Sequence, residues 1–157
     1  MELDPDLQAM LDERNRTMGL FAADHRPMAF YAILREDLEM PPGKLGAQAS
    51  HAFEEALKEA KKGNPDIEAQ YQGTGHGKKN LHGAKNLAQL IKGYRAAQAA
   101  GLPCALVIDR GHVLPPHFTG AAIFTALGLG PVYEDEARKI MNRFSRLRDE
   151  RDVTNAL

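Results

Sequence analysis

The chain has a single cysteine, Cys104, among 157 residues, so no disulfide can close within it and no cysteine-rich zinc site can be built. It has no run close to the roughly 18 apolar residues a membrane helix requires. Its opening Met1-Glu2-Leu3-Asp4 has neither the basic nor the apolar region of a signal peptide. A soluble, cytoplasmic protein without a membrane partner is the expectation. It is not depleted of apolar residues (43%) or overloaded with charge (26%), which excludes a disordered chain or an end-to-end coiled coil. At this length one core with short extensions is expected rather than two full domains.

Acid is missing from one long stretch. Between Glu68 and Asp109 there is none, while Lys78, Lys79, Lys85, Lys92 and Arg95 gather there with His76 and His82. By segment, residues 1–40 carry nine acids against four Lys or Arg, 41–120 carry ten bases against six acids, and 121–157 hold six of each. The near-neutral total therefore hides a basic middle. Such a stretch suits phosphate contacts, and it equally suits a solvated helix whose acids lie elsewhere.

Periodicity organises the rest. Asp4–Met18 has a short amphipathic helical pattern through Leu7, Met10 and Leu11. Met28–Leu34 is a continuous apolar run of strand length, bounded by Pro27 and by Glu36-Asp37. Pro41-Pro42-Gly43 breaks the chain, and a helix follows from Lys44 through Leu45, Ala49, Ala52, Phe53, Ala56 and Ala60 to a stop at Gly63-Asn64-Pro65. Residues 64–83 are glycine-rich and predict a mobile loop or a weak edge strand. A second helix is predicted over 86–100, a buried strand over Cys104–Ile108, an apolar strand over Ala121–Leu129 and a closing helix over Glu134–Leu147. This alternation predicts an α/β layer fold with right-handed crossovers.

In such folds ligands gather beyond the carboxyl ends of the strands. Two residues are delivered there: Lys44, at a helix N-terminus whose free N–H groups favour anions, and Asp109, directly after a buried strand. Both should face one crevice. Lys44 has no Walker spacing around it, and Gly73-x-Gly75-x-Gly77 follows no clear strand, so nucleotide-binding loops are not indicated. His76, His82, His112 and His117 lack metal-ligand spacing, and Ser50 beside His51 points away from it; neither a metal nor a serine nucleophile is expected.

Three blocks, PGKLGAQASHA (42–52), GLPCALVIDRGH (101–112) and TALGLGP (125–131), resemble the type 2 peptidyl-tRNA hydrolases in order and spacing, over residues 28–141. The resemblance implies a three-layer α/β/α fold around a four-stranded mixed sheet, a homodimer, no cofactor, and hydrolysis of the ester joining a peptide to the terminal ribose of tRNA. It places that domain at 27–148, between a partly helical extension (1–26) and a tail (149–157). Its active-site positions fall on Lys44, Gln48, Asp109 and Thr125, with His51 as a second candidate. Backbone contacts to tRNA are expected from Lys78, Lys79, Lys85, Lys92, Arg95 and Arg110. Two departures stand out. The family's threonine four residues after the aspartate is Val113 here, within a loop about four residues longer than usual, so that His112 or Thr119 would stand in; and the family's apolar second strand reads Lys79-Asn80-Leu81-His82-Gly83-Ala84. They leave open a noncatalytic RNA- or nucleotide-binding module, or a hydrolase of a related aminoacyl ester.

Overall fold

The computed structural model describes residues 2–18, 26–73 and 77–147. His76 and the 149–157 tail lie outside the described residues. A first helix, α1 (Pro5–Met18), forms where its periodicity predicts, with Leu7, Met10 and Leu11 exposed. The body follows: β1 (Met28–Arg35), α2 (Pro42–Gly63), α3 (Ile67–Gly73), β2 (Lys79–Ala84), α4 (Leu87–Ala99), β3 (Cys104–Asp109), the short strands β4 (Val113–Leu114) and β5 (Phe118–Thr119), β6 (Ile123–Tyr133), α5 (Glu134–Met141) and β7 (Ser145–Arg146).

The main sheet runs β3-β6-β1-β2-β7. β1 and β2 are parallel, and β6 lies antiparallel between β1 and β3, so the carboxyl ends of β1, β2 and β3 share one end of the sheet. The alternation of β1 sorts the two faces. Ala29, Tyr31 and Ile33 pack with Leu90 and Ala97 of α4 and with Ala137, Ile140 and Met141 of α5; Phe30, Ala32 and Leu34 face α2 and α3. This is the expected α/β/α arrangement. Ile33, Leu34, Leu90, Leu127 and Leu129 are fully buried, each contributing about 1.5–3 kcal/mol relative to an exposed side chain.

One face is built for close approach. On α2 the buried side chains Ala49, Ala52, Ala56 and Ala60 form a stripe of methyl groups, and Gly128 of β6 lies beneath it, where a Cβ would stand 2.0 Å from the Ala52 carbonyl oxygen. Small residues on both partners therefore let the helix backbone settle onto the strand. This seating fixes where the first turns of α2 sit over the carboxyl ends of the strands.

The structure corrects the sequence reading in four places. The sheet has five strands instead of four, because the chain after α5 turns back and pairs Ser145 and Arg146 with Gly83 and His82; the closing helix accordingly ends at Met141, not Leu147. Residues 67–73 are helical, anchored by Tyr71, which is buried edge-on against Phe30. β6 continues past Leu129 through Gly130-Pro131 to Tyr133, with Gly130 at φ 118 absorbing the irregular backbone. The long loop after Asp109 is a small hairpin, Val113 paired with Thr119 and Leu114 with Phe118.

Candidate active site

Pro42 at the start of α2 presets the first helical turn, and Leu45 N–H makes the first bond back to Pro41. Lys44 therefore leaves the first turn at the carboxyl end of β1, with no acid in that turn to neutralise it. Its ammonium donates to Asp109 Oδ2 at 2.9 Å, across 65 residues, with the two side chains 10% and 17% exposed. The expected convergence is present.

Two more groups complete the surroundings of that ammonium. His112 Nδ1 lies 2.5 Å from Lys44 Nζ, and the ring of Phe118 faces the ammonium at 4.3 Å from its centroid. An ammonium only donates, so His112 accepts through Nδ1 and carries its proton on Nε2. His112 also stands 3.9 Å from Asp109 Oδ2. Of the two residues expected to replace the missing threonine, His112 is the one brought to Lys44; Thr119 is exposed on β5, opposite Val113. Phe118 was missed by sequence reasoning, since nothing in Pro-Pro-His-Phe-Thr marks which apolar residue the hairpin turns inward.

One turn along α2, Gln48 is buried and its Oε1 accepts from Thr125 Oγ1 at 2.5 Å, from a hydroxyl with no exposed surface. The strand register explains how Thr125 reaches it. Ile108 pairs with Phe124 and Val107 with Ala126, leaving Thr125 as the extra residue of a bulge. The bulge breaks alternation, so that Thr125 and Ala126 both face α2 while Phe124 packs on the opposite core. Arg35, another residue the sequence did not flag, holds this irregular backbone: its guanidinium donates to the Phe124 carbonyl at 3.0 Å and to both Asp37 oxygens. Thr125 thus engages the Gln48 oxygen and leaves the amide N–H donors outside this hydrogen bond.

His51 lies on the Lys44 side of α2 by helical phase and is exposed. The expected tRNA contacts do not share one surface. Lys79 sits over the rings of Tyr71 and Phe53, on the α2/α3 side, while Lys92 and Arg95 are exposed on α4, across the sheet. Lys78 pairs with Glu134. Because Lys79 opposes Phe30 and Ala84 opposes Arg35, Lys79 stands roughly 17 Å along the strand from the site end, five rises of about 3.3 Å. Lys85 and Arg110, both exposed, are at the site end.

A wide hollow lies elsewhere. It measures about 1080 Å³ and follows the unpaired edge of β3, past Leu102, Cys104, Leu106 and Tyr94. Burial pushes the Cys104 thiol up to about 11, so it is a neutral wall residue and not a nucleophile. No cluster of three metal-ligating side chains occurs among the described residues.

Residues 28–147 match the family described as Peptidyl-tRNA hydrolase PTH2. The chain belongs to this family. Among its relatives, the peptidyl-tRNA hydrolase of Methanocaldococcus jannaschii is 33% identical over 121 residues, covering 76% of this chain and all of that one. The peptidyl-tRNA hydrolase of Methanothermobacter thermautotrophicus is 35% identical, covering 69% and 89%. That of Methanopyrus kandleri is 32% identical, covering 74% and 95%. The matched span takes in Lys44, Gln48, Asp109 and Thr125, and it leaves α1 outside.

Proposed function

We propose that the protein hydrolyses peptidyl-tRNA, breaking the ester between the peptide and the 3′-terminal ribose, through the crevice at the carboxyl ends of β1 and β3. The observation that carries this reading is the partly buried contact of Lys44 with Asp109, drawn from two distant elements of a peptidyl-tRNA hydrolase family member. Water attacks the ester carbonyl, with Asp109 orienting it and accepting its proton. Lys44, the N–H groups of the first turn of α2 and the amide of Gln48 stabilise the oxyanion that develops. The carbonyl re-forms, the ribose oxygen leaves with the proton held by Asp109, and free tRNA and a peptide acid, which ionises to the carboxylate by losing its proton to water, result.

The remaining residues hold this set in place. Thr125 fixes the Gln48 amide, Arg35 holds the bulge that aims Thr125, and His112 with Phe118 confines the ammonium. Ester cleavage suits such modest machinery because a ribose alkoxide leaves far more readily than an amine. No cofactor or metal has a part in this scheme. We place the reaction in the cytoplasm, where translation supplies the substrate, and expect a homodimer as the working form; among the described residues no helix is long and apolar enough to cross a membrane.

Single-turnover hydrolysis of a labelled peptidyl-tRNA by Lys44→Ala and Asp109→Asn tests the assignment. A loss of about 10²–10³-fold in each is expected. Undiminished rates discard it. A noncatalytic RNA-binding role would instead show no turnover by the unaltered protein, and comparing blocked with free aminoacyl esters separates peptidyl-tRNA from related substrates.

A further inference from the structure

The two helical layers differ in how their charges are used. On α2 each lysine after Lys44 has a carboxylate beside it: Lys58 has Glu54 and Glu55, Lys61 has Glu68, and Lys62 has Glu59. On the opposite face the pattern reverses. Lys85, Lys92 and Arg95, at and along α4, are exposed and have no carboxylate within salt-bridge distance among the described residues. The same holds for Arg138, Lys139, Arg143 and Arg146, on α5 and the segment leading into β7. The layer's three acids are already taken, Glu134 by Lys78 and Asp135 and Glu136 by Arg26. α4 contributes none.

Seven cations without a salt-bridge partner among the described residues, on α4, on α5 and on the segments flanking them, with the three acids of α5 already paired, form a surface that calls for an anion. We propose that this α4/α5 face, continued by β7, is where the backbone of the tRNA body lies. The inference rests on the hydrolase reading above and adds four contacts, Arg138, Lys139, Arg143 and Arg146, that the acid-free stretch of sequence did not include. It also removes Lys79, which is on the other side of the sheet, from that surface.

The face connects to the site. Arg146 lines a polar hollow of about 360 Å³ with Arg138, Asn142 and Asn80, and it lines a second cleft of about 500 Å³ that passes Arg35, Glu36, Glu39 and Met40 to Leu45, the neighbour of Lys44, so that Arg35 and Arg146 are the cations in a cleft that also holds two carboxylates. Arg146 is therefore the corner between the basic face and the crevice. A backbone lying across α5 and turning at Arg146 heads toward Lys44 without crossing the charge-paired outer side of α2. Contacts of this kind bind phosphate and carry no sequence information, as befits an enzyme acting on many tRNAs.

The test uses the whole chain with three exposed cations removed together, Arg138→Gln, Lys139→Gln and Arg143→Gln, and Arg146→Gln separately. For the triple variant KM for peptidyl-tRNA should rise about tenfold or more while kcat holds, and the slope of log affinity against log salt should shrink by about one per contact removed. A peptidyl ester of adenosine, which lacks the tRNA body, should show the wild-type KM. Arg146→Gln should shift the same quantities less. The α2 variant Lys58→Gln, Lys61→Gln, Lys62→Gln removes equal charge from the other layer and should change neither. An unchanged KM and salt slope in the α5 triple variant overturns the proposal, as does an equal loss on the adenosine ester. Binding of deacylated tRNA, measured alongside, tests the face even if the protein proves not to hydrolyse peptidyl-tRNA, so the two readings fail separately.

Discussion

Lys44 and Lys62 leave the same helix, and each holds a carboxylate, at 2.9 Å and 2.7 Å respectively. Lys62 meets Glu59 on its own helix, 70% exposed, in water that screens and competes. Lys44 meets Asp109 from another strand, under a phenylalanine ring and beside His112, largely out of solvent. The distance is nearly the same and the physical situation is opposite. The pair proposed to act in catalysis is distinguished by burial, by the second and third groups around it, and by its place past the strand ends.

The largest way to break this comparison is to remove the ammonium at each place. Lys44→Met should lower the single-turnover rate on peptidyl-tRNA by about 10³-fold, near 4 kcal/mol of transition-state stabilisation. Lys62→Met should leave the rate within twofold. Equal losses would mean that the crevice has no special standing.

The next effect concerns how α2 is seated. Gly128→Ala drives a methyl against the Ala52 carbonyl, backbone against backbone, so the helix must lift. We expect about 3 kcal/mol lost in urea unfolding, with the first turns of α2 displaced and hydrolysis reduced as well. Gly73→Ala, where an added Cβ meets nothing within 4 Å, is the matched control and should cost far less.

These seats were only partly legible in the sequence. β1, α2 and α4 announced themselves because each buries a periodic or continuous apolar set; β3 was legible from its apolar run, although at the sheet edge only Val107 of the expected buried strand is buried, and the strand-end rule then put Lys44 and Asp109 together. β2 was faint, since Lys79 and Asn80 at its start are not buried and its strand character comes from pairing with β1, whose partner residues lie 49 positions away in sequence. α3 was invisible because one side chain, Tyr71, anchors seven residues among glycines. The bulge at Thr125 is a property of two strands in register, so no window on one strand reveals it. The family resemblance supplied Thr125; only the pairing explains it.

Thr125→Val makes the next smaller change, keeping shape while deleting the donor to Gln48 Oε1. The buried amide oxygen is left unsatisfied, and a cost of about 1–3 kcal/mol in stability is expected. A fall in kcat larger than any rise in KM would mark Gln48 as acting on the reaction rather than on substrate binding. A wild-type kcat would reduce the pair to packing.

Charge also differs between regions by how readily it forms. His82, buried on β2 beneath Arg146, has its pKa lowered, first by burial and further by that arginine, against an opposing hydrogen bond to the Phe144 carbonyl. The native state then resists the proton that the unfolded chain accepts near its ordinary 6.5. This contribution vanishes well above 6.5 and destabilises progressively as pH falls below it. His82→Gln should flatten that acid-side decline in a series of urea melts, and an unchanged slope would show that His82 takes up its proton in the folded state as readily as in the unfolded one.

The smallest effect makes the comparison quantitative. A double-mutant cycle on Lys62 and Glu59, read by urea unfolding, should give a coupling of about 0.3–0.5 kcal/mol, because two long side chains in water gain little Coulomb energy and lose rotamer freedom. The same cycle on Lys44 and Asp109 should exceed 1 kcal/mol, since each single variant strands a partner with little access to water. Raising salt should erase the first coupling and spare most of the second. If the two cycles agreed, burial would not be what separates them, and the contacts from Phe118 and His112 would have to account for the crevice alone.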